Sequence, residues 1–111
     1  METVLKTEPH QKLKLGFLIQ FEAKEDRAEE IAEAMFKTLP NIEDESGTIV
    51  WFGFRTSKTG FGVFDAFYNE DARNAHWEEG SKRLEKSYPF IDQESFSVKR
   101  VDVIQSKFHG K

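Results

Sequence analysis

Apolar and polar side chains alternate along the first patterned stretch of the chain, from Leu13 to Ala23. The apolar positions are Leu13, Leu15, Phe17, Ile19, Phe21 and Ala23, and polar side chains such as Gln20 and Glu22 lie between them. A period of two places successive side chains on opposite faces of an extended chain. The pattern therefore predicts a β-strand with one buried face.

The next segment has the period of an amphipathic helix. Asp26 is suited to be its N-cap, and Glu29 is placed three residues later to complete a capping box. Helical spacing of apolar side chains then predicts one helix from about Arg27 to Leu39, which we expect Pro40 to close. The acid-rich stretch Asn41–Gly47 is expected to be a loop. The apolar positions are Ala28, Ile31, Ala32, Met35, Phe36 and Leu39.

Two segments rich in β-branched and aromatic residues follow, Thr48–Arg55 and Phe61–Tyr68. Such residues favour strands. The polar Thr56–Gly60 between them predicts a hairpin with a five-residue connection.

The rest of the chain predicts further helical segments and a last strand. Asn69 is suited to cap a second helix, which we expect Gly80 to end, and Ser81–Tyr88 predicts another helical piece. Ser95–Lys107 predicts the last strand. Its apolar phase changes near Lys99–Arg100, which indicates a β-bulge there.

The predicted order is β-α-β-β-α-β. With right-handed crossovers it gives an α+β, ferredoxin-like fold, in which a four-stranded antiparallel sheet carries both helices on one face. We expect a single domain over residues 13–107, a flexible N-terminal leader over residues 1–12 and a C-terminal tail over residues 108–111.

The second and third predicted strands are apolar on both faces. In the second strand, Phe52 and Phe54 lie on one face and Ile49 and Trp51 on the other. Two helices cover only one face of such a sheet, so the other row would form a larger apolar patch than monomers usually expose. We expect a homodimer packed sheet against sheet. The alternative is that the acidic loop and the leader fold over this face.

Composition and charge narrow the classes of function. The chain has 111 residues, which fits one domain, and a formal charge of -4, which argues against a nucleic-acid partner. It has no cysteine, so disulfides and thiolate sites are excluded. No apolar run is long enough to span a membrane, and no secretory signal is recognisable, so a cytoplasmic protein without a membrane partner is expected.

The sequence shows no pattern of a metal or cofactor site. The three histidines, His10, His76 and His109, are scattered, and no glycine-rich loop opens a helix. We therefore expect no metal and no cofactor.

His76 is the first candidate for chemistry. Helical spacing places it on one face with Ala72, Ala75 and Glu79, and the alanines mark that face as the one toward the sheet. An inward imidazole can act as a base near neutral pH. The alternative is a structural histidine that bonds a backbone carbonyl or Asp65.

Asp65 is the second candidate, because it is in phase with the apolar Val63 and Phe67 of the third strand. A carboxylate on such a face needs a cationic partner, for which Arg55 is one possibility. A structural ion pair or exposure at a strand edge would explain it equally well. Trp51, Tyr68 and Trp77 can belong either to the core or to a ligand site.

Three runs of sequence carry a family resemblance: E-S-G-T-I-V-W-F-G-F-R, F-G-V-F-D-A-F-Y-N-E-D-A-R-N-A-H and V-K-R-V-D-V-I-Q-S-K. Together they resemble the antibiotic biosynthesis monooxygenase (ABM) family over Leu13–Lys107. The shared features are a Glu-x-Gly-Thr-like turn before strand two, an acid-x-aromatic pair and an alanine–histidine pair. Asp65 and Phe67 match the first pair, and Ala75 and His76 match the second.

The resemblance implies a dimeric α/β barrel made of two ferredoxin-like subunits joined through their sheets. Characterised members include oxygenases that oxidise quinols or anthrone-type polyketides without metal or flavin, because the deprotonated substrate itself passes an electron to oxygen. The resemblance implies His76 as the catalytic base or substrate hydrogen-bonding residue, and a small aromatic ligand. The implied pocket residues are Trp51, Asp65, Phe67 and Trp77.

The expected function is therefore a cofactor-independent monooxygenase acting on a small quinol- or anthrone-like substrate. Two other functions stay open. Relatives with the same barrel degrade haem, which would require His76 as an iron ligand. A non-catalytic small-molecule-binding or stress-associated barrel would use the pocket without chemistry.

Overall fold

The computed structural model describes residues 12–107, which form four strands and two α-helices. The strands are β1 (Leu15–Ala23), β2 (Val50–Arg55), β3 (Gly60–Phe67) and β4 (Ile91–Asp102), and the helices are α1 (Ala28–Glu43) and α2 (Glu70–Ser87). Short 3-10 turns at Glu25–Arg27 and Tyr88–Phe90 precede α1 and β4. The expected tail and all but the last residue of the expected leader lie outside the described residues.

The four strands form one antiparallel sheet in the order β2-β3-β1-β4. The two strands that are adjacent in sequence, β2 and β3, form the predicted hairpin, and β1 lies between β3 and β4. The α+β, ferredoxin-like fold predicted from the alternation of periods is therefore confirmed. Within the described residues, no helix is long and apolar enough to cross a membrane.

One face of the sheet carries the core. The period-two row of β1 is buried as predicted except for the half-buried Leu15, and Phe17 is only 2% exposed. Ile31 on α1, Phe67 on β3 and Ile91 on β4 are 1%, 0% and 0% exposed. Burial of each such side chain contributes roughly 1.5–3 kcal/mol relative to exposure, so these rows fix the position of β3 and β4 against the helices.

The helix α1 differs from its prediction at both ends. Asp26 lies in the preceding 3-10 turn rather than at an N-cap, and Pro40 lies inside a helix that continues to Glu43. A proline in a helix interior costs about 3 kcal/mol, because a hydrogen bond is lost. Ile42 is buried in the added turn, at 5% exposure, and this burial offsets part of that cost.

The helix α2 starts as predicted and ends later than predicted. It begins after the Asn69 cap, whose side chain accepts a hydrogen bond from the Ala72 amide, and it runs without interruption through Gly80.

The strand β4 starts at Ile91 rather than at Ser95, and it ends at Asp102. Ile91 is fully buried opposite Ala23 on β1, which explains the early start.

The irregularity of β4 lies at a different place from the predicted bulge. The pairing with β1 is continuous through Lys99 and Arg100 and shifts between Gln20 and Glu22, which pair with Ser97 and Asp92. The Ser95 hydroxyl accepts a hydrogen bond from the Glu22 amide at 2.8 Å within the shifted segment. A side chain thus satisfies the backbone donor that the ladder leaves unpaired.

Candidate active site

Three parts of the chain meet at His76. The imidazole lies on α2 and is 8% exposed, Asp65 lies on β3 and is fully buried, and Glu45 lies in the turn between α1 and β2. The His76 Nε2 is 3.0 Å from Asp65 Oδ2, and the His76 Nδ1 is 2.5 Å from Glu45 Oε1. One imidazole is therefore held between two carboxylates.

Asp65 is placed by the sheet. It pairs with Phe17 on β1, whose amide donates to Asp65 Oδ1 at 3.1 Å. The other oxygen, Oδ2, is buried and close to His76 Nε2, yet it receives no aligned hydrogen bond. The contact with His76 is thus an ion pair that leaves the acceptor capacity of Oδ2 available.

Glu45 is fixed by partners on each oxygen. Its Oε1 accepts from the Thr48 hydroxyl at 2.7 Å as well as facing His76, and its Oε2 lies 3.2 Å from Arg83 on α2. The side chain is 21% exposed, so it connects the buried imidazole to the protein surface.

The surroundings set the charge of the imidazole. Burial lowers the pKa of His76, but contacts with Asp65 and Glu45 raise it, and the net direction is upward. Burial likewise raises the pKa of Glu45, while His76, Thr48 and Arg83 lower it, with a net downward direction. Together these shifts favour an imidazolium between carboxylates, with an arginine beside the outer one.

A cavity of about 100 Å³ lies next to these groups, between the helices and the sheet. Its walls are mostly aromatic and aliphatic, and the polar side chains among them include Thr38, Asp65, His76, Arg83 and Ser87. Of the predicted pocket residues, Trp51, Asp65 and Trp77 line it. Phe67 does not line this cavity, since it packs against the His76 ring at a centroid distance of 5.3 Å.

A second, more open groove of about 380 Å³ lies between α1 and the β2–β3 hairpin. Met35 and Trp51 line both the groove and the inner cavity, so they separate the two. Phe36 and Leu39, which lie at apolar positions of the predicted amphipathic helix, border this groove and are 84% and 45% exposed. The arginine proposed as an Asp65 partner, Arg55, also lies at this groove and contacts Glu29 at 2.9 Å.

The face of α2 toward the sheet differs from the predicted one. Ala75 is exposed, whereas Arg73 is buried at 6% exposure and donates to the Gly16 carbonyl at 3.1 Å. Helical spacing permits either face to include His76, and the larger side chains of Arg73 and Trp77 occupy the side over Phe17. His76 points inward as predicted.

Sequence reasoning missed Glu45, Thr48 and Arg83 as members of the site. A signal was present, because Glu45 and Thr48 are the first and last residues of the E-S-G-T turn. The alternative of a structural histidine predicts a contact with Asp65, and the structure brings His76 and Asp65 together.

The surroundings of His76 are poorly suited to haem iron. Residues 12–107 contain no group of three or more His, Cys, Asp or Glu side chains arranged to hold a metal ion. A haem ligand would need a free Nε2, whereas this atom faces Asp65 in a cavity of about 100 Å³. That volume is below the roughly 300 Å³ at which ligand pockets usually begin.

No protein-family model and no curated protein sequence matches the chain. Its structure is similar to a protein of unknown function from Nitrosomonas europaea, with 26% identity, a TM-score of 0.83 and coverage of 92% of this chain and 100% of the other. A provisionally assigned antibiotic biosynthesis monooxygenase from the same organism aligns at 15% identity and a TM-score of 0.73, covering 82% of this chain and 99% of the other.

A crystal structure named antibiotic biosynthesis monooxygenase gives similar values: 13% identity, a TM-score of 0.71 and coverage of 82% and 99% of the two chains. At these identities the likeness shows the fold. The chain therefore has the ABM-like fold that the sequence resemblance predicted.

Proposed function

We propose that the protein is a cofactor-independent monooxygenase that oxidises a small aromatic quinol- or anthrone-like substrate with O₂. The observation that carries the proposal is the buried Asp65 Oδ2, an acceptor without an aligned donor in the wall of an aromatic cavity and 3.0 Å from His76 Nε2. Such an acceptor suits a weakly acidic hydroxyl group.

The first step is removal of the hydroxyl proton. The substrate O–H bond breaks, its electron pair stays on the substrate oxygen and the proton goes to Asp65 Oδ2. His76 as an imidazolium then donates a hydrogen bond from Nε2–H to the new anion, which keeps its charge. The imidazole and the carboxylate thus act as a pair, and the role of His76 is that of the hydrogen-bonding group rather than the sole base.

The second step uses the electron-rich anion itself. It passes one electron to O₂, and the resulting substrate radical and superoxide join through a new C–O bond. The peroxide takes up the proton held by Asp65, and the hydroperoxide then loses water as its O–O bond and the C–H bond at the same carbon break, which leaves one oxygen atom on that carbon. For an anthrone-like CH₂ group, both hydrogens and the second oxygen atom leave as water, so no outside reductant is required. The protein supplies orientation and a dry wall, to which Trp51, Trp77 and Phe17 contribute.

Different parts of the substrate bind in the inner cavity and in the outer groove. The inner cavity, at about 100 Å³, accommodates the reacting hydroxyl end, and the outer groove, at about 380 Å³, falls within the usual range for a ligand. Substrate that spans both must displace Trp51 or Met35 from the shared wall.

We also propose that two copies pack through the face of the sheet opposite the helices. Phe52 on that face is 60% exposed, and its neighbours across β3 and β1 are Phe64 and Leu18, both half-buried. A partner sheet would cover this apolar strip. Light scattering at micromolar concentration should give twice the mass of the chain, and a monomer mass would contradict the proposal.

A non-catalytic binding protein is the second candidate. It is favoured by the fact that both ring nitrogens of His76 already face carboxylates, an arrangement that also serves structural histidines. Such a protein would bind aromatic ligands in the same groove without consuming oxygen.

The test is oxygen consumption with a panel of quinols and anthrones, with product mass measured after reaction in isotopically heavy O₂. We expect wild-type protein to incorporate one labelled oxygen atom, and His76→Ala to lose on the order of 100-fold or more in rate. Binding without oxygen uptake in the wild type would favour the binding protein. Equal rates in His76→Ala would remove His76 from the reaction.

A further inference from the structure

We propose that Glu45 is a positioning residue of this site. Its carboxylate holds His76 through Nδ1, so that the opposite Nε2–H keeps a fixed direction beside Asp65 Oδ2, toward a substrate oxygen bound there. The inference rests on the proposed function for its catalytic meaning, although the structural part can be measured without any substrate.

The first argument is that Asp65 alone does not orient the ring. Its Oδ2 lies 3.0 Å from Nε2 but outside the direction of an aligned hydrogen bond. The 2.5 Å contact between Nδ1 and Glu45 Oε1 is shorter and occupies the opposite side of the ring. Imidazoles at active and metal sites are commonly fixed in this way, by a carboxylate on the nitrogen that does not react.

The second argument is that Glu45 is itself immobilised. Thr48 donates to Oε1 at 2.7 Å and the Arg83 guanidinium approaches Oε2 at 3.2 Å, so rotation of the carboxylate would break both contacts. The turn that carries Glu45 and Thr48 is also tied by the Thr48 amide, which donates to the Glu45 carbonyl at 3.1 Å. A group held this firmly can transmit a fixed orientation to its partner.

The third argument concerns charge. The charged groups around His76 come from three elements: Asp65 from β3, Glu45 from the turn after α1, and Arg83 from α2, which acts through Glu45. Without the Glu45 carboxylate, the positive charge of Arg83 would no longer be neutralised and would repel a positive charge on the imidazole. Glu45 therefore also keeps the ring in its protonated, donating form.

The experiment compares Glu45→Gln with Glu43→Gln, a matched control at an exposed position near the end of α1. NMR of nitrogen-labelled histidine follows the protonation of each ring nitrogen against pH without substrate. We expect Glu45→Gln to lower the pKa of His76, because a negative charge is removed, and to mix the two neutral tautomers. In Glu43→Gln, the His76 imidazole should titrate as it does in wild type.

Oxygen-consumption kinetics give the functional readout. The proposed reaction requires the imidazolium, so activity falls as pH rises through the pKa of His76. In Glu45→Gln this decrease in activity should occur at lower pH. At optimal pH we expect kcat to fall about tenfold or more, with a smaller change in KM. Glu45→Asp retains the negative charge, so its activity should decrease at a pH closer to that of wild type. This variant replaces Glu45→Gln in the comparison if the glutamine variant does not fold.

The outcomes separate the two proposals. An unchanged His76 titration in a folded Glu45→Gln variant would overturn the positioning role, as would a pH profile identical to wild type. If wild-type protein oxidises no quinol while the NMR titration still shifts, the proposed function fails and the structural role of Glu45 stands.

Discussion

The two faces of the sheet are similar in sequence and opposite in environment. Phe67 on the helix-covered face is fully buried, whereas Phe52 on the other face is 60% exposed. The covered face also holds the charged groups of the site, Asp65 among them, while the open face carries an apolar strip. Aromatic side chains on both faces indicate that each face is suited to be covered. The helices cover only one of them, so that face forms the core and the other stays exposed.

The largest expected effect comes from truncating the same residue type on each face. Phe67→Ala removes a fully buried ring and should lower the free energy of unfolding by about 3–5 kcal/mol. Phe52→Ala should cost much less at protein concentrations low enough to give monomer. Denaturant unfolding of both variants tests this, and equal losses would contradict the distinction between the faces.

The next largest effect on stability is expected at Gly16, where the central strands β1 and β3 lie close together. A Cβ added at Gly16 would lie 2.0 Å from the Asp65 carbonyl oxygen, a backbone atom that cannot move aside. Gly16→Ala should cost on the order of 1–3 kcal/mol or more and displace Asp65 from His76. Thermal unfolding and the His76 NMR titration measure the two consequences, and wild-type values for both would show that the strands can separate freely.

A charge on the open face should act on association rather than on folding. Phe52→Glu introduces a carboxylate into the proposed interface, where it would be buried without a partner. We expect the mass in solution to halve while the far-ultraviolet circular dichroism stays native. A variant that remains a dimer would place the interface elsewhere.

The smallest effect is the pH dependence of stability from the His76 network. The pKa of His76 is raised in the folded state, so its contribution is complete below the ordinary imidazole value of 6.5 and is lost as pH rises through the raised value. The pKa of Glu45 is lowered, so its contribution is present above the ordinary carboxyl value of 4.5 and is lost as pH falls through the lowered value.

The stability difference between wild type and His76→Gln should therefore be largest between these two ordinary values and shrink at higher pH. Urea unfolding of both proteins at several pH values gives this difference. A difference that grows as pH rises would contradict the ionised network.

Local patterns were sufficient for much of the fold. The β1 alternation, the β2–β3 hairpin and the Asn69 cap depend on neighbouring residues, and each is found close to its predicted place. The end of α1 and the start of β4 are different, because they depend on the burial of Ile42 and Ile91 against distant parts of the chain.

The site shows the same division. His76 points inward as predicted, although the face of α2 that turns to the sheet carries Arg73 and not the predicted Ala75. The burial of Asp65 follows from its phase in β3. Glu45 is 31 positions from His76, and only the closure of the turn before β2 brings the two together. No period or cap in the sequence encodes that contact, although one of its two residues, Glu45, opens the E-S-G-T turn.

The central claim is that the Asp65–His76 pair takes a hydroxyl proton inside the aromatic cavity, and a phenol that changes colour on ionisation tests it directly. Para-nitrophenol should be added to wild-type and Asp65→Asn protein at a pH below its own pKa in water. We predict the absorbance of the phenolate for the probe bound to wild type and that of the neutral phenol for the probe bound to the variant. A neutral bound probe in wild type, or the same spectrum for both proteins, would contradict the account.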